Sequence, residues 1–194
     1  MKVYLLDGLW GRHWRLMKLA KKLYDVGLDS EIWTYDSSGR SKLSTLAEHF
    51  LAEAQNNAFA AVGYSMGGLI LREAMRLNPN LPLQKIVFLN TPHAGSLVAN
   101  FFGFLGSGIR DMQPKSPFLK KLHSSSLGQH CHATLTVWTP GDLMVIPARS
   151  ASFEKGNTAE QKESIRSKVP AHIWPIYSQK LQQKIVHFLA PDFL

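Results

Sequence analysis

The sequence predicts an α/β protein, with about six strands in a mainly parallel sheet flanked by helices. Three observations predict it. Short apolar runs alternate with segments of helical periodicity, each run ends at a turn signal, and 45% of the 194 residues are hydrophobic against 19% charged. That balance describes a globular chain with material to cover a sheet on both faces, in one domain spanning 1–194.

Residues 3–6 are an apolar run stopped by Asp7-Gly8, the form of a buried parallel strand. Leu16, Leu19, Ala20 and Leu23 recur at helical spacing before Gly27, and 31–35 reads as a second strand. Leu43, Leu46, Ala47, Phe50, Leu51 and Ala54 follow the i, i+3, i+4 pattern of a second helix. A third strand is expected over 58–63, a helix over 67–77, and further strands over 85–90, 134–139 and 164–169. Ser178 is placed to cap a final helix that buries Leu181, Ile185, Phe188 and Leu189. Residues 94–133 show no clear period and are rich in Gly, Ser and Phe. An unpatterned stretch of that length inside a compact chain is expected to be a lid or the wall of a site.

The formal net charge of +8 raises the question of a polyanionic partner. The Lys and Arg residues are scattered, and no zinc finger, aromatic-basic signature or long basic helix accompanies them, so a plain solvated basic surface is expected and nucleic acid is not; weak association with anionic lipid surfaces lies between the two. One cysteine, Cys131, precludes an internal disulfide and suits a reducing compartment. With no signal peptide or membrane-spanning stretch visible, the expected location is the cytoplasm. Oligomeric state is left open.

Gly63-Tyr64-Ser65-Met66-Gly67 is a G-x-S-x-G pentapeptide between a predicted strand and a predicted helix, the setting a nucleophile elbow requires. Its turn is so sharp that side chains at the flanking positions would collide with neighbouring backbone, which glycine avoids. A serine hydroxyl needs a base to become nucleophilic, and the base needs a carboxylate to orient it. Asp142 follows the fifth strand and His172 precedes the last helix, which gives the chain order serine, acid, histidine. Asp111 lies in the unpatterned segment, His187 inside the last helix, and His123, His130 and His132 are expected to face solvent. His130-Cys131-His132 lacks a second ligand cluster, so neither metal nor any cofactor is expected.

Four stretches carry a resemblance to a known group: LDGLWG at 6–11, GYSMGGLIL at 63–71, LNTPHAGS at 89–96 and SPFLKKL at 116–122. They are similar to the oxyanion loop, elbow, T-P-H-x-G-S and S-x-F-L-x-x-L segments of α/β-hydrolases of the lipase and esterase type, near the triacylglycerol-lipase and lecithin–cholesterol-acyltransferase-like branch. The resemblance implies the α/β-hydrolase fold, and hydrolysis of a small-molecule acyl ester, with an apolar acyl chain, through an acyl-enzyme. It also implies the backbone N–H groups of Leu9 and Met66 as an oxyanion hole. His93 then belongs to a structural segment rather than to catalysis. Asp7 stands where the family usually has histidine, which sets a negative charge beside that hole. Phe101, Phe104 and Trp10 are the expected substrate-binding residues, the two phenylalanines on a stretch that Gly103, Gly106 and Gly108 would leave flexible. A thioesterase or acyltransferase would use the same three side chains, and an inactive hydrolase-fold binding protein is the alternative from another class.

Overall fold

The computed structural model describes residues 1–54, 56–153, 159–166 and 172–190. Six strands, β1 (Lys2–Leu6), β2 (Asp29–Trp33), β3 (Phe59–Tyr64), β4 (Leu83–Leu89), β5 (Ala133–Trp138) and β6 (Gln161–Arg166), form one sheet in the order β2-β1-β3-β4-β5-β6. Every pairing is parallel. The longer helices are α1 (Met17–Asp25), α2 (Leu43–Glu53), α3 (Met66–Leu77) and α8 (Gln179–Leu189); short α4 (Val98–Phe102), α5 (Ser107–Asp111), α6 (Pro117–Ser124) and α7 (Trp174–Tyr177) occupy the connections.

The central strands are apolar on both sides because both sides are covered. Tyr4, Leu6, Phe59, Ala61 and Phe88 face a core shared with α2, α3 and α6. Val3, Leu5, Ala60, Val62 and Val87 face one shared with α1 and α8. The register sets Leu6 beside Gly63, Tyr64 beside Leu89 and Leu89 beside Val137, so the carboxyl ends of β1, β3, β4 and β5 align along one edge. Loops leaving that edge are the ones that can meet above the sheet.

Two expectations are corrected. The sixth strand runs over Gln161–Arg166, not 164–169; residues 167–169 of the expected range lie outside the described residues. Its run QKESIR carries one large apolar residue because β6 is an edge strand, paired with β5 alone among the described residues. The 94–133 segment is not irregular either: it holds α4, α5 and α6, two of five residues and one of eight, too short for a 3.6-residue period to stand out. Ser116 caps α6 by accepting from the Leu119 N–H at 3.1 Å, and Phe118, Leu119 and Leu122 are buried.

The glycines of this segment also serve a different end from the one expected. A Cβ on Gly106 would sit 2.1 Å from the Gly39 carbonyl oxygen, and one on Gly108 2.4 Å from that of Ser41. The N–H groups of Ser107 and Gly108 donate to Arg40 and Gly39 carbonyls. Close backbone approach, not freedom, requires glycine here. Among the described residues, no helix is long and apolar enough to cross a membrane.

Candidate active site

Ser65 occupies the turn between β3 and α3 with φ 52° and ψ −119°, a conformation rare for a side chain larger than hydrogen. The strain is held by packing. A Cβ on Gly63 would lie 2.5 Å from the Gly68 Cα, and one on Gly67 2.5 Å from the carbonyl oxygens of Leu6 and Asp7. The Ser65 N–H still donates to the Leu89 carbonyl at 2.8 Å, which ties the turn to β4.

Asp142 is buried just beyond β5. Its Oδ1 accepts the N–H groups of Met144 and Val145 at 2.8 and 2.9 Å. That leaves Oδ2 to face His172, whose Nδ1 is 2.6 Å away. The His172 Nε2 lies 3.0 Å from the Ser65 Oγ. Three side chains separated by as many as 107 positions thus form one continuous hydrogen-bonded chain.

Beside it opens a cavity of about 360 Å³ lined mainly by apolar side chains, among them Leu9, Val98, Phe102, Ile109, Met112 and Met144. Trp10 borders it and is half exposed. Phe101 and Phe104 do not line it; they are 76% and 80% exposed. As a helix, α4 turns Val98, Ala99 and Phe102 toward the cavity and leaves Phe101 on another face, a distinction invisible while 97–105 reads as loop.

No protein-family model matches the sequence, and no curated protein matches it. Solved structures do resemble the chain. It superimposes on Aspergillus fumigatus lipase B with a TM-score of 0.77 at 14% identity, covering 97% of this chain and 52% of that one. For Paleococcus ferrophilus monoacylglycerol lipase the values are 0.70 and 15%, with 97% and 93% covered. For an extracellular α/β-hydrolase from a Paenibacillus species they are 0.61 and 12%, with 96% and 97% covered. The fold is that of the α/β-hydrolases. The chain spans about half the length of the Aspergillus lipase and nearly all of the other two.

In this α/β-hydrolase fold the loop after β1 passes against the elbow, so close that a Cβ on Gly8 would meet the Ser65 Cβ at 2.7 Å. The backbone N–H groups of Leu9 and Met66 donate to no described residue. Asp7 is buried, and its carboxylate is paired with Arg15 at 2.9 Å.

The remaining candidates are placed elsewhere. Asp111 Oδ2 accepts the Leu43 N–H at 2.9 Å and so caps α2. Burial raises the Asp111 carboxyl above its ordinary value. His93 is buried against Phe153, ring centroids 4.3 Å apart, with the Arg72 Nη1 3.3 Å from its Nδ1. Burial, and then the neighbouring Arg72 and His123, hold it well below its ordinary value. His123 does not simply face solvent: its Nε2 lies 2.9 Å from the His93 carbonyl oxygen. Burial pushes the Cys131 thiol up to about 12, which removes it as a nucleophile.

Two positioning residues escaped sequence reasoning. Asn90 Nδ2 donates to the His172 carbonyl at 2.7 Å and holds the histidine backbone against the end of β4. Ser96 Oγ donates to the Met144 carbonyl and accepts from the Ile146 and Val98 N–H groups, joining the β4 and β5 loops. Both lie inside LNTPHAGS, the stretch that signals the resemblance, but only the folded chain shows what they reach.

Proposed function

We propose that this protein hydrolyses carboxylic esters with an apolar acyl chain, as an enzyme of the lipase and esterase type. The observation that carries the reading is the Asp142–His172–Ser65 hydrogen-bonded chain opening on an apolar cavity. With Nδ1–H donated to Asp142, the His172 Nε2 has its lone pair free to take the Ser65 proton as Oγ attacks the ester carbonyl. The tetrahedral oxyanion is held by the N–H groups of Leu9 and Met66, and the start of α3 adds its positive end. His172 returns the proton to the leaving alcohol; water, activated by the same imidazole, then releases the acyl group. A thiol ester or an acceptor alcohol would enter the same sequence, but the mainly apolar lining favours no particular leaving group, and the ester is the simplest fit.

The likeness of four sequence stretches to the triacylglycerol-lipase and lecithin–cholesterol-acyltransferase-like branch supports an acyl substrate. So does the edge around the site, where Leu97, Phe101, Phe104, Leu105, Leu143 and Trp174 are exposed on the connections that follow β4, β5 and β6. Arg12, Arg40 and Arg149 are exposed on the same edge. An apolar rim with cationic neighbours suits association with an anionic lipid surface.

A fluorophosphonate probe should label the folded protein once, at Ser65, and a panel of p-nitrophenyl esters should be turned over. Ser65→Ala should abolish both while leaving Tm near that of the wild type. An adduct mapped to another residue, or none on folded protein, would refute the ester-hydrolase reading in favour of an inactive binding protein.

A further inference from the structure

The carboxylate of Asp7 does more than survive beside an oxyanion site. Its Oδ1 accepts the Gly8 N–H at 2.7 Å, and its Oδ2 accepts the Arg12 N–H at 2.9 Å. One side chain therefore holds both ends of the loop that carries Leu9. Inside that loop Trp10 has φ 51°, its N–H donates to the Ser37 carbonyl, and the Gly11 N–H donates to the Gly8 carbonyl. A Cβ on Gly11 would lie 2.8 Å from the Asp7 Cγ, so the loop closes directly over the carboxylate. Beneath, the Tyr35 hydroxyl donates to the Asp7 carbonyl; burial, together with the charge of Asp7, raises the phenol well above its ordinary range and keeps it a donor.

Asp7 is in turn fixed from the helix side. Arg15 Nε donates to Oδ2 at 2.9 Å, with the guanidinium 5.9 Å from the centre of the Tyr64 ring and its Nη2 buried without a partner among the described residues. Arg15 also borders the cavity that holds Ser65. A buried carboxylate this near a developing oxyanion would oppose it unless a fixed cation cancels the field.

We propose that Asp7 and Arg15 are a positioning pair. Asp7 holds the Leu9 N–H in its productive place through Gly8 and Arg12, and Arg15 both orients that carboxylate and neutralises it. The inference rests on Ser65 and Leu9 acting as described above. Neither side chain touches the reacting atoms, so the pair governs the transition state and leaves substrate binding nearly alone. The carboxylate without its cation is the most harmful arrangement, which orders the variants. Arg15→Gln should be slowest, because it keeps the charge and loses the partner. The double variant Asp7→Asn with Arg15→Gln should recover part of that loss, since no buried charge remains uncompensated.

The test uses steady-state hydrolysis of a short soluble p-nitrophenyl ester, with Tm and amide hydrogen exchange at Gly8 and Arg12 measured in parallel. Arg15→Gln should lower kcat roughly 10- to 100-fold, below the ~10²–10³ of losing an oxyanion donor outright, with KM within about threefold. Exchange at Gly8 and Arg12 should accelerate, and Arg15→Lys should restore part of kcat. Should Arg15→Gln melt below the assay temperature, Arg15→Lys is the variant compared with the wild type, its expected kcat lying between the two. Unchanged kcat, a loss confined to KM, or unaltered exchange at both amides would each overturn the pair. A wild-type protein that neither turns over esters nor takes the probe at Ser65 would overturn the ester reading instead, and exchange alone would then decide whether Asp7 and Arg15 hold the loop.

Discussion

The turn around Ser65 and the segment between β4 and β5 border the same cavity but are built in opposite ways. At the turn, contacts come from residues a few positions away and from the ends of adjacent strands, and Gly63 and Gly67 leave room for only one path of the backbone. In the β4–β5 segment, short helices are pinned by partners far along the chain: Gly106 and Gly108 rest on residues 39–41, Ser96 reaches Met144 and Ile146, and Asp111 reaches Leu43. The first region presents the Ser65 hydroxyl to His172, and the second forms much of the cavity wall beside it. The difference teaches that a strained local motif announces itself in sequence, whereas a wall assembled from remote contacts does not.

The largest expected effect separates two aspartates that the two constructions use differently. Asp142→Asn should lower kcat by roughly 10³- to 10⁴-fold, because an amide no longer holds the His172 tautomer that can accept the Ser65 proton. Asp111→Asn should leave kcat within about twofold and lower stability by ~1 kcal/mol at most, the scale of a helix cap. Equal losses of kcat, or the reverse order, would mean that the acid has been misassigned.

A smaller effect sharpens the contrast within α4. Each methylene buried by the wall contributes up to ~0.8 kcal/mol, about fourfold in kcat/KM, as acyl length increases. Phe102→Ala should flatten that climb, while Phe101→Ala with Phe104→Ala should leave it unchanged for soluble esters. The double variant should instead bind vesicles containing anionic phospholipid about tenfold more weakly. If Phe101 and Phe104 changed the acyl-length profile and Phe102 did not, the cavity wall would have been assigned to the wrong side chains.

The smallest effect concerns His93, where the β4 loop leaves the core. Burial holds the folded imidazole well below its ordinary 6.5, with Arg72 and His123 adding to the shift. Below that pH the unfolded chain takes up a proton that the folded protein refuses. The stability from neutral His93 is therefore complete above about pH 6.5 and declines below it, by at most about 1.4 kcal/mol per pH unit. His93→Gln should have a lower Tm at pH 7 but a shallower loss between pH 7 and pH 5. Parallel Tm curves for the two proteins would show that His93 carries no part of the acid sensitivity.

By itself the sequence determined the alternation of strand and helix, and with it the parallel sheet, because burial on both faces demands continuous apolar runs in Val3–Leu6, Phe59–Val62 and Ile86–Leu89. It also determined the turn at Ser65, since steric exclusion at Gly63 and Gly67 is local. Asp142 and His172 were legible as candidates from their order along the chain and their places after strands. Only the tertiary structure brought them to Ser65, closed Asp7 onto Arg15, turned Phe102 rather than Phe101 and Phe104 to the cavity, and gave Asn90 and Ser96 their partners. Hydrogen bonds of this kind join residues tens of positions apart, and a periodicity read over ten or fifteen residues carries no record of them.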